Sequence, residues 1–263
     1  MAGRTSPKFV RVYIDGMDYS GMTRSISPLT YEYELADLTA QYGDYVKGYL
    51  PNMPHASPGT LNTVFNVSSD DSAARHTALA TQNDDRVVIV AIGSRAAPAQ
   101  GDPVFCGEFS QLGYTVDEDG GAIVANVVFG PRDIENMFAY SDPWGTLAHP
   151  LALADSDGNA AVGYDDGAGA TTAFGGYMVW AVTAGSGTAT ITMEHDDSSD
   201  SDGFAAIGGL TTGAIDCDST VQYGVAVTTA KTTEIMRYTR WQCAIDDADV
   251  TFALAFVRGA AHT

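Results

Sequence analysis

Bases are scarce in this chain of 263 residues: 13 Lys and Arg stand against 33 Asp and Glu, a formal charge of −20. The deficit is spread evenly, with nine bases and 18 acids before residue 150 and four and 15 after it. A protein that grips nucleic acid neutralises phosphates with clustered Lys and Arg, and no such cluster exists. Arg237 and Arg240 come nearest, but three residues apart on a strand they point to opposite faces. Cysteine is also sparse. Cys106, Cys217 and Cys243 are odd in number and widely spaced, which suits neither a disulfide framework nor a zinc knuckle and fits thiols held in a reducing cytoplasm. No apolar run is long enough to span a bilayer as a helix, and no hydrophobic segment follows MAGRTSPKF to make it a secretory signal. No membrane partner is expected.

Catalytic patterns are missing as well. His55, His76, His149, His195 and His262 are scattered, without the spacing of a metal pair. There is no nucleophile elbow, phosphate loop or dinucleotide fingerprint, and the glycine-rich stretch 158–169 is acidic and lacks lysine, which is wrong for phosphate. No catalytic residue is assigned, and the chain is not expected to be an enzyme. One loop has a partial cation pattern: Asp155, Asp157 and Asn159 place oxygens at the first, third and fifth positions of a calcium loop and Asp166 at the twelfth. Ala160 stands where such a loop needs glycine, and Asp166 is shorter than the usual bidentate Glu. Asp196–Gly203 is a second oxygen-rich loop. Ca2+ is thus the one cofactor the residues admit, against the plainer reading of solvated acidic loops.

What is present is period-two alternation. Val10, Val12 and Ile14 alternate with Arg11 and Tyr13, Arg86–Ile92 reads as a strand buried on both faces, and two alternating runs flank the acidic turn 117–121 as a hairpin. Asp15-Gly16 marks a tight turn. Asp70–Ala80 is the one helix candidate, with acids at its positive end and Ser69 as cap. Later strands are expected over Tyr177–Thr183, Thr188–His195, Phe204–Ile207, Val221–Val227, Glu234–Cys243 and Val250–Val257. Short strands with Gly- and Asp-rich turns indicate antiparallel sandwiches. The expected fold is all-β with one short flanking helix: an N-terminal β-sandwich or half-barrel over 1–145, a linker or arm over 146–172, and a C-terminal antiparallel β-sandwich over 173–263.

The segment from about 17 to 60 stands apart. It is rich in rings yet poor in periodicity, and long loops of this kind are usually functional. Tyr31, Tyr33, Tyr42, Tyr45 and Tyr49, with Leu50, are the candidate contacts between subunits, since tyrosine is enriched at interfaces. The alternative is that they cover a sheet within one monomer.

These residues resemble a family. The strand VYIDGMDYSG, Ser27-Pro28 with Tyr31-Glu32, Asp37–Ala40, Gly43-Asp44, Lys47–Pro51, Gly59 with its following strand, the helix at 71–79 and the hairpin around Gly120 resemble the major tail (tube) proteins of long non-contractile-tailed bacteriophages. The similarity covers roughly residues 9–130 and lies in order and spacing. The C-terminal block resembles an accessory sandwich appended to phage structural proteins. The tyrosine-rich loop departs from the tube pattern. The resemblance implies a virion structural protein whose copies form stacked hexameric rings, assembled in the host bacterial cytoplasm and placed in the virion tail. The implied partners are the chain itself, the tape-measure protein and the tail terminator and tip proteins. DNA would pass through an acidic lumen without tight binding, since phosphate charge recurs about every 1.7 Å of duplex axis. Two other readings stay open: a carbohydrate-binding or glycan-hydrolysing sandwich with Trp180 or Trp241 as stacking platform, and a capsid decoration protein.

Overall fold

The computed structural model describes residues 7–37, 49–65, 70–81, 85–94, 96–132, 142–154, 157–160, 163–167, 171–199, 203–218, 221–246 and 249–259, with backbone alone at 33–37, 49–54 and 70–74. Strands dominate the described residues, as the alternation requires. After a 3-10 turn at Pro7–Phe9 come β1 (Val10–Ile14), β2 (Met17–Asp18), β3 (Thr23–Ser27), β4 (Thr30–Asp37), β5 (Tyr49–Ser57) and β6 (Thr60–Val64). Then follow α1 (Asp70–Ala80), β7 (Asp85–Ile92), β8 (Pro103–Asp119) and β9 (Ala122–Gly130). The second half supplies β10 (Trp144–Ala154), β11 (Gly158–Asn159), β12 (Tyr164–Asp165), β13 (Gly176–Gly185), β14 (Thr188–Asp196), β15 (Ala205–Thr211), β16 (Ile215–Asp216), β17 (Gln222–Val227), β18 (Tyr238–Asp246) and β19 (Val250–Arg258). All ladders between these strands are antiparallel. The expected helix has the bounds read from the sequence.

The halves are fused in one sheet. Eleven strands share a ladder running β17-β13-β19-β10-β8-β7-β1-β2, with β9, β6 and β3 branching from β8. The branch arises because β8 has 17 residues: its first part pairs with β7 and its second with β9, across a bulge between Gln111 and Gly113. A bulge bends the strand and raises its twist, so β8 passes from one layer to the next.

Alternate side chains therefore serve different cores. On β7, Val88 and Val90 face a cluster with Val12, Leu61, Phe105, Phe109, Val127 and Phe129. Val87, Ile89 and Ala91 face another with Tyr177, Val179, Ala253 and Ala255. The opposite sides of β13 and β19 present Met178, Trp180, Val182, Phe252 and Leu254 to a third, shared with Ile191, Met193 and Leu210 of a six-stranded sheet ordered β11-β18-β14-β15. Four layers thus enclose three apolar slabs, and strands buried on both faces read as unbroken hydrophobic runs. At roughly 25 cal/mol per Å² of buried apolar surface, each slab contributes on the scale of a whole small domain's core.

Two expectations change. Residues 146–154, read as linker, are strand β10, paired with β19 along its length and with β8 over Trp144–Thr146. Pro150 misled the reading. It lies within the second of two register shifts, between His149 and Ala152, where it has no ladder partner on β19, and beyond the reach of β8. Such a site tolerates a residue with no N–H. The boundary at 145 therefore falls inside a continuous sheet. Second, the described residues of the segment from 17 to 60 are largely strand. β4 and β5 form a two-stranded ribbon that joins neither large sheet among the described residues. Pro51 and Pro54 inside β5 hid its alternation.

Candidate functional site

The ribbon begins at the sandwich wall. Thr30 pairs with Ser57 and Tyr31 with Ala56, and the ladder then runs on to Asp37 opposite Tyr49. Ala56 is buried in the first core and Tyr31 packs against it, so the base is anchored. The Ser57 hydroxyl donates to the Phe129 carbonyl at 2.8 Å and accepts from the Gly59 amide at 3.0 Å, fixing the exit angle. Beyond that base no third strand joins the ladder among the described residues. An isolated two-stranded hairpin is marginal in water.

The six candidate contact residues divide accordingly. Tyr31 sits at the ribbon base, half-buried. Tyr33 lies opposite Pro54, Leu50 opposite Ala36 and Tyr49 opposite Asp37, all on the ribbon ladder. Tyr42 and Tyr45 fall outside the described residues. The structure thus places four of the six on one two-stranded ribbon.

The edges of the ribbon differ. β5 carries Pro51 and Pro54, with Pro58 just beyond it, whereas β4, TYEYELAD, has no proline and three acids. Proline lacks the amide a ladder needs and is a common guard of edge strands.

Below the ribbon, sequence reading missed a slot. β8 joins the two layers of the first sandwich on one side. On the other side, β3 and the start of β1 leave an apolar cavity of about 390 Å³, lined by Val10, Ile26, Leu29, Val90 and Ile92, with Arg24 among its polar neighbours. Among the described residues β3 pairs only with β6; β2 pairs with β1 at Tyr13 and Ile14, and Val12 is bonded to Tyr19 and Ser20. The signal available in the sequence was the alternation of Val10 and Ile26 with polar neighbours; that they face each other across a gap is a tertiary fact.

The wall behind the slot is pinned by a polar node. Arg86, buried, donates to Asp15 at 2.8 Å, to the Gln111 side-chain oxygen at 2.9 Å and to the carbonyls of Ala78 and Thr81 at 2.6 and 2.9 Å. Asp15 in turn accepts the Val87 amide at 2.9 Å, and Gln111 donates to the Leu79 carbonyl at 2.6 Å. One cation therefore ties the β1–β2 turn, the β8 bulge and the last turn of α1, which has no basic residue of its own. Asp15 holds a positive φ of 49° and Gly16 one of 76°. Only glycine fits the second position, because a Cβ there would strike Val221 as well as strain the turn.

Of the candidate cation ligands, Asp157, Asn159 and Asp166 are described. Asp155 lies outside the described residues. Asp157 accepts the Ile245 amide at 2.7 Å, and Asn159 is on β11, paired with Gln242. Asp166 forms an ion pair with Arg258; burial nevertheless pushes its carboxyl above the usual range, and the arginine opposes that. Among the described residues no three His, Cys, Asp or Glu side chains come together as a metal site.

Arg237 binds exposed Asp165 through two bonds of 2.6 Å, while Arg240 is buried against Glu194 at 2.7 Å and lies over the Phe204 ring. Both cations are thus engaged by carboxylates. Trp180, a candidate sugar platform, is buried in the third core, and Trp241 packs edge-on against His149 and Phe252 there. Burial pushes the His149 imidazole down to about 4. Cys106, Cys217 and Cys243 are buried free thiols, each pushed up by burial, Cys243 to about 11.

No protein-family model matches the chain. No curated protein matches it either. Among solved structures it is similar to the crystal structure of the SPP1 Dit protein (gp 19.1), described as a paradigm of hub adsorption apparatus in phages infecting Gram-positive bacteria. The identity is 9%, the TM-score 0.34, and the match covers 94% of this chain and 99% of that one. A score of this size carries no argument about fold or role.

Proposed function

We propose that this chain is a structural subunit of a phage tail that assembles with copies of itself through the β4–β5 ribbon. The observation that carries the reading is the ribbon: two strands anchored at one end, bearing tyrosines, and joined to neither sheet. An element too small to hold its own shape is stabilised by a surface that covers it. A patch that reaches from one copy onto a different patch of the next makes a head-to-tail contact, which closes into a ring or runs on as a filament.

The finer reading rests on the likeness to tail-tube proteins set out from the sequence: six copies to a ring, rings stacked into a tube, and DNA moving through it past the tape-measure protein. The charge of −20 supports this. An acidic bore repels phosphate and lets the duplex slide, where a basic bore would hold it. The exposed acids at the β8–β9 turn, Asp117, Glu118 and Asp119, form one dense part of that field.

Sedimentation velocity over a range of concentrations tests the reading. The full chain is expected to sediment as multimers that grow with concentration. A monomer at every concentration, up to the solubility limit, would refute it.

A further inference from the structure

We infer that the apolar slot between β1 and β3 receives the β4 edge of the ribbon of a second copy, by strand addition along β3. The inference rests on the self-assembly proposed above and names the two surfaces that meet.

Three observations converge on this pairing. The slot is flanked on one side by a strand edge without a ladder partner among the described residues, that of β3, which pairs with β6 alone; on the opposite wall the Val12 amide and carbonyl are taken by Ser20 and Tyr19. An edge presenting amides and carbonyls beside an apolar cleft is the arrangement into which extended segments add: main-chain bonds give affinity, and alternate side chains enter the cleft. The cavity of about 390 Å³ has room for such side chains, and Val10, Ile26 and Leu29 line it only half-buried.

The ribbon offers one usable edge. Prolines mark β5 and are absent from β4, so a ladder can extend from β4 alone. Five residues of β3 match a stretch of the eight in β4, about 17 Å of paired backbone.

Charge selects the same partners. The chain has few bases, yet Arg24 lines the slot and the Arg11 guanidinium caps the start of β1, donating to the carbonyls of Lys8 and Val10 at 3.0 and 3.1 Å. Lys8 lies beside them over the Phe9 ring. Asp119 shares Arg24 at 2.6 Å on the exposed rim. β4 brings Glu32, Glu34 and Asp37 and no base. Acid-bearing β4 and base-rimmed slot are complementary where most of the surface repels itself. The ribbon cannot serve its own slot in this fold: β4 starts three residues after β3 ends but pairs with β5 and not with β3.

The test uses two full-length variants, Ser25→Cys on β3 and Glu32→Cys on β4, both at exposed positions. The native thiols are buried and give little background. Each variant alone, and their equimolar mixture, is treated with a short bis-maleimide at a concentration where sedimentation shows multimers. The mixture is expected to yield a covalent dimer absent from either variant alone, because the contact joins unlike surfaces. A dimer from Glu32→Cys alone would instead indicate ribbon-to-ribbon pairing and overturn the inference. Multimers without any cross-link would also overturn it while leaving self-assembly intact, and would be followed by deleting residues 1–6 to ask whether the chain's own N-terminal segment fills the slot. Absence of multimers would remove the functional reading and this inference together.

Discussion

Arg86 gives up its hydration to donate to four acceptors from three elements, and Asp15, equally buried, is its counter-charge. Replacing the cation strands a buried carboxylate, which costs more than the pair itself contributes. Arg86→Leu is expected to lower unfolding stability by about 3–5 kcal/mol, read from urea titrations, and adding Asp15→Asn should recover part of the loss. A drop of the size typical of exposed pairs, below about 1 kcal/mol, would contradict the node's role. His149 gives a second prediction. Its imidazole lies flat on Phe252, centroids 4.1 Å apart, with Nδ1 3.1 Å from the Phe252 carbonyl. Burial lowers its folded pKa to about 4, below the unfolded value of about 6.5. The fold therefore favours the neutral ring. That contribution is present above about pH 6.5 and is lost as the pH falls toward 4. Between pH 7.5 and 4.5 the parent should lose about 2–3 kcal/mol more stability than His149→Leu, measured by denaturant titration at each pH. Equal losses in the two proteins would contradict this.

Among the elements, β4–β5 is the one whose removal should change assembly and nothing else. Replacing residues 34–53 with Asn-Gly, a pair suited to a tight hairpin turn, keeps Tyr31 and Ala56 on the first core and removes the outer ladder. The variant is expected to keep the parent's melting temperature as a monomer and to form no multimers by light scattering. Multimers like the parent's would show that the contacts lie elsewhere. How far the elements were legible follows from the same physics. Strands β7, β13 and β19 and helix α1 were readable because burial on two faces, or a capped run of good helix formers, leaves a strong local pattern. β10 and β5 were not, because Pro150, Pro51 and Pro54 imitate loop signals wherever bulges or sheet edges tolerate them. Of the candidate contacts, the tyrosines gave no sign of the ribbon form of their segment, and the slot depends on β1 and β3 meeting across a cavity. Of the calcium-loop candidates, Asp157 accepts an amide and Asp166 pairs with Arg258, contacts between distant segments that loop spacing does not show.

The layering has a consequence for the whole molecule. Tyr13, Val87, Ile89, Ala91, Val104 and Cys106 of the first half are covered by Tyr177, Val179, Ala181, Ala253, Ala255 and Val257 of the second. Cutting the chain at 145 exposes that entire face, an apolar patch of the kind that drives aggregation. Fragments 1–145 and 146–263 are therefore expected to be insoluble when expressed apart and to recover folded protein when expressed together. A soluble 1–145 with a cooperative melt would show that the halves fold independently. The central claim is that copies of this molecule build an ordered assembly through the ribbon. Its most direct measurement is negative-stain electron microscopy of the purified full-length chain beside the ribbon-shortened variant, at equal concentration. The account predicts rings or stacked tubes from the first and dispersed single particles from the second; dispersed particles from both, or the same rings from both, would contradict it.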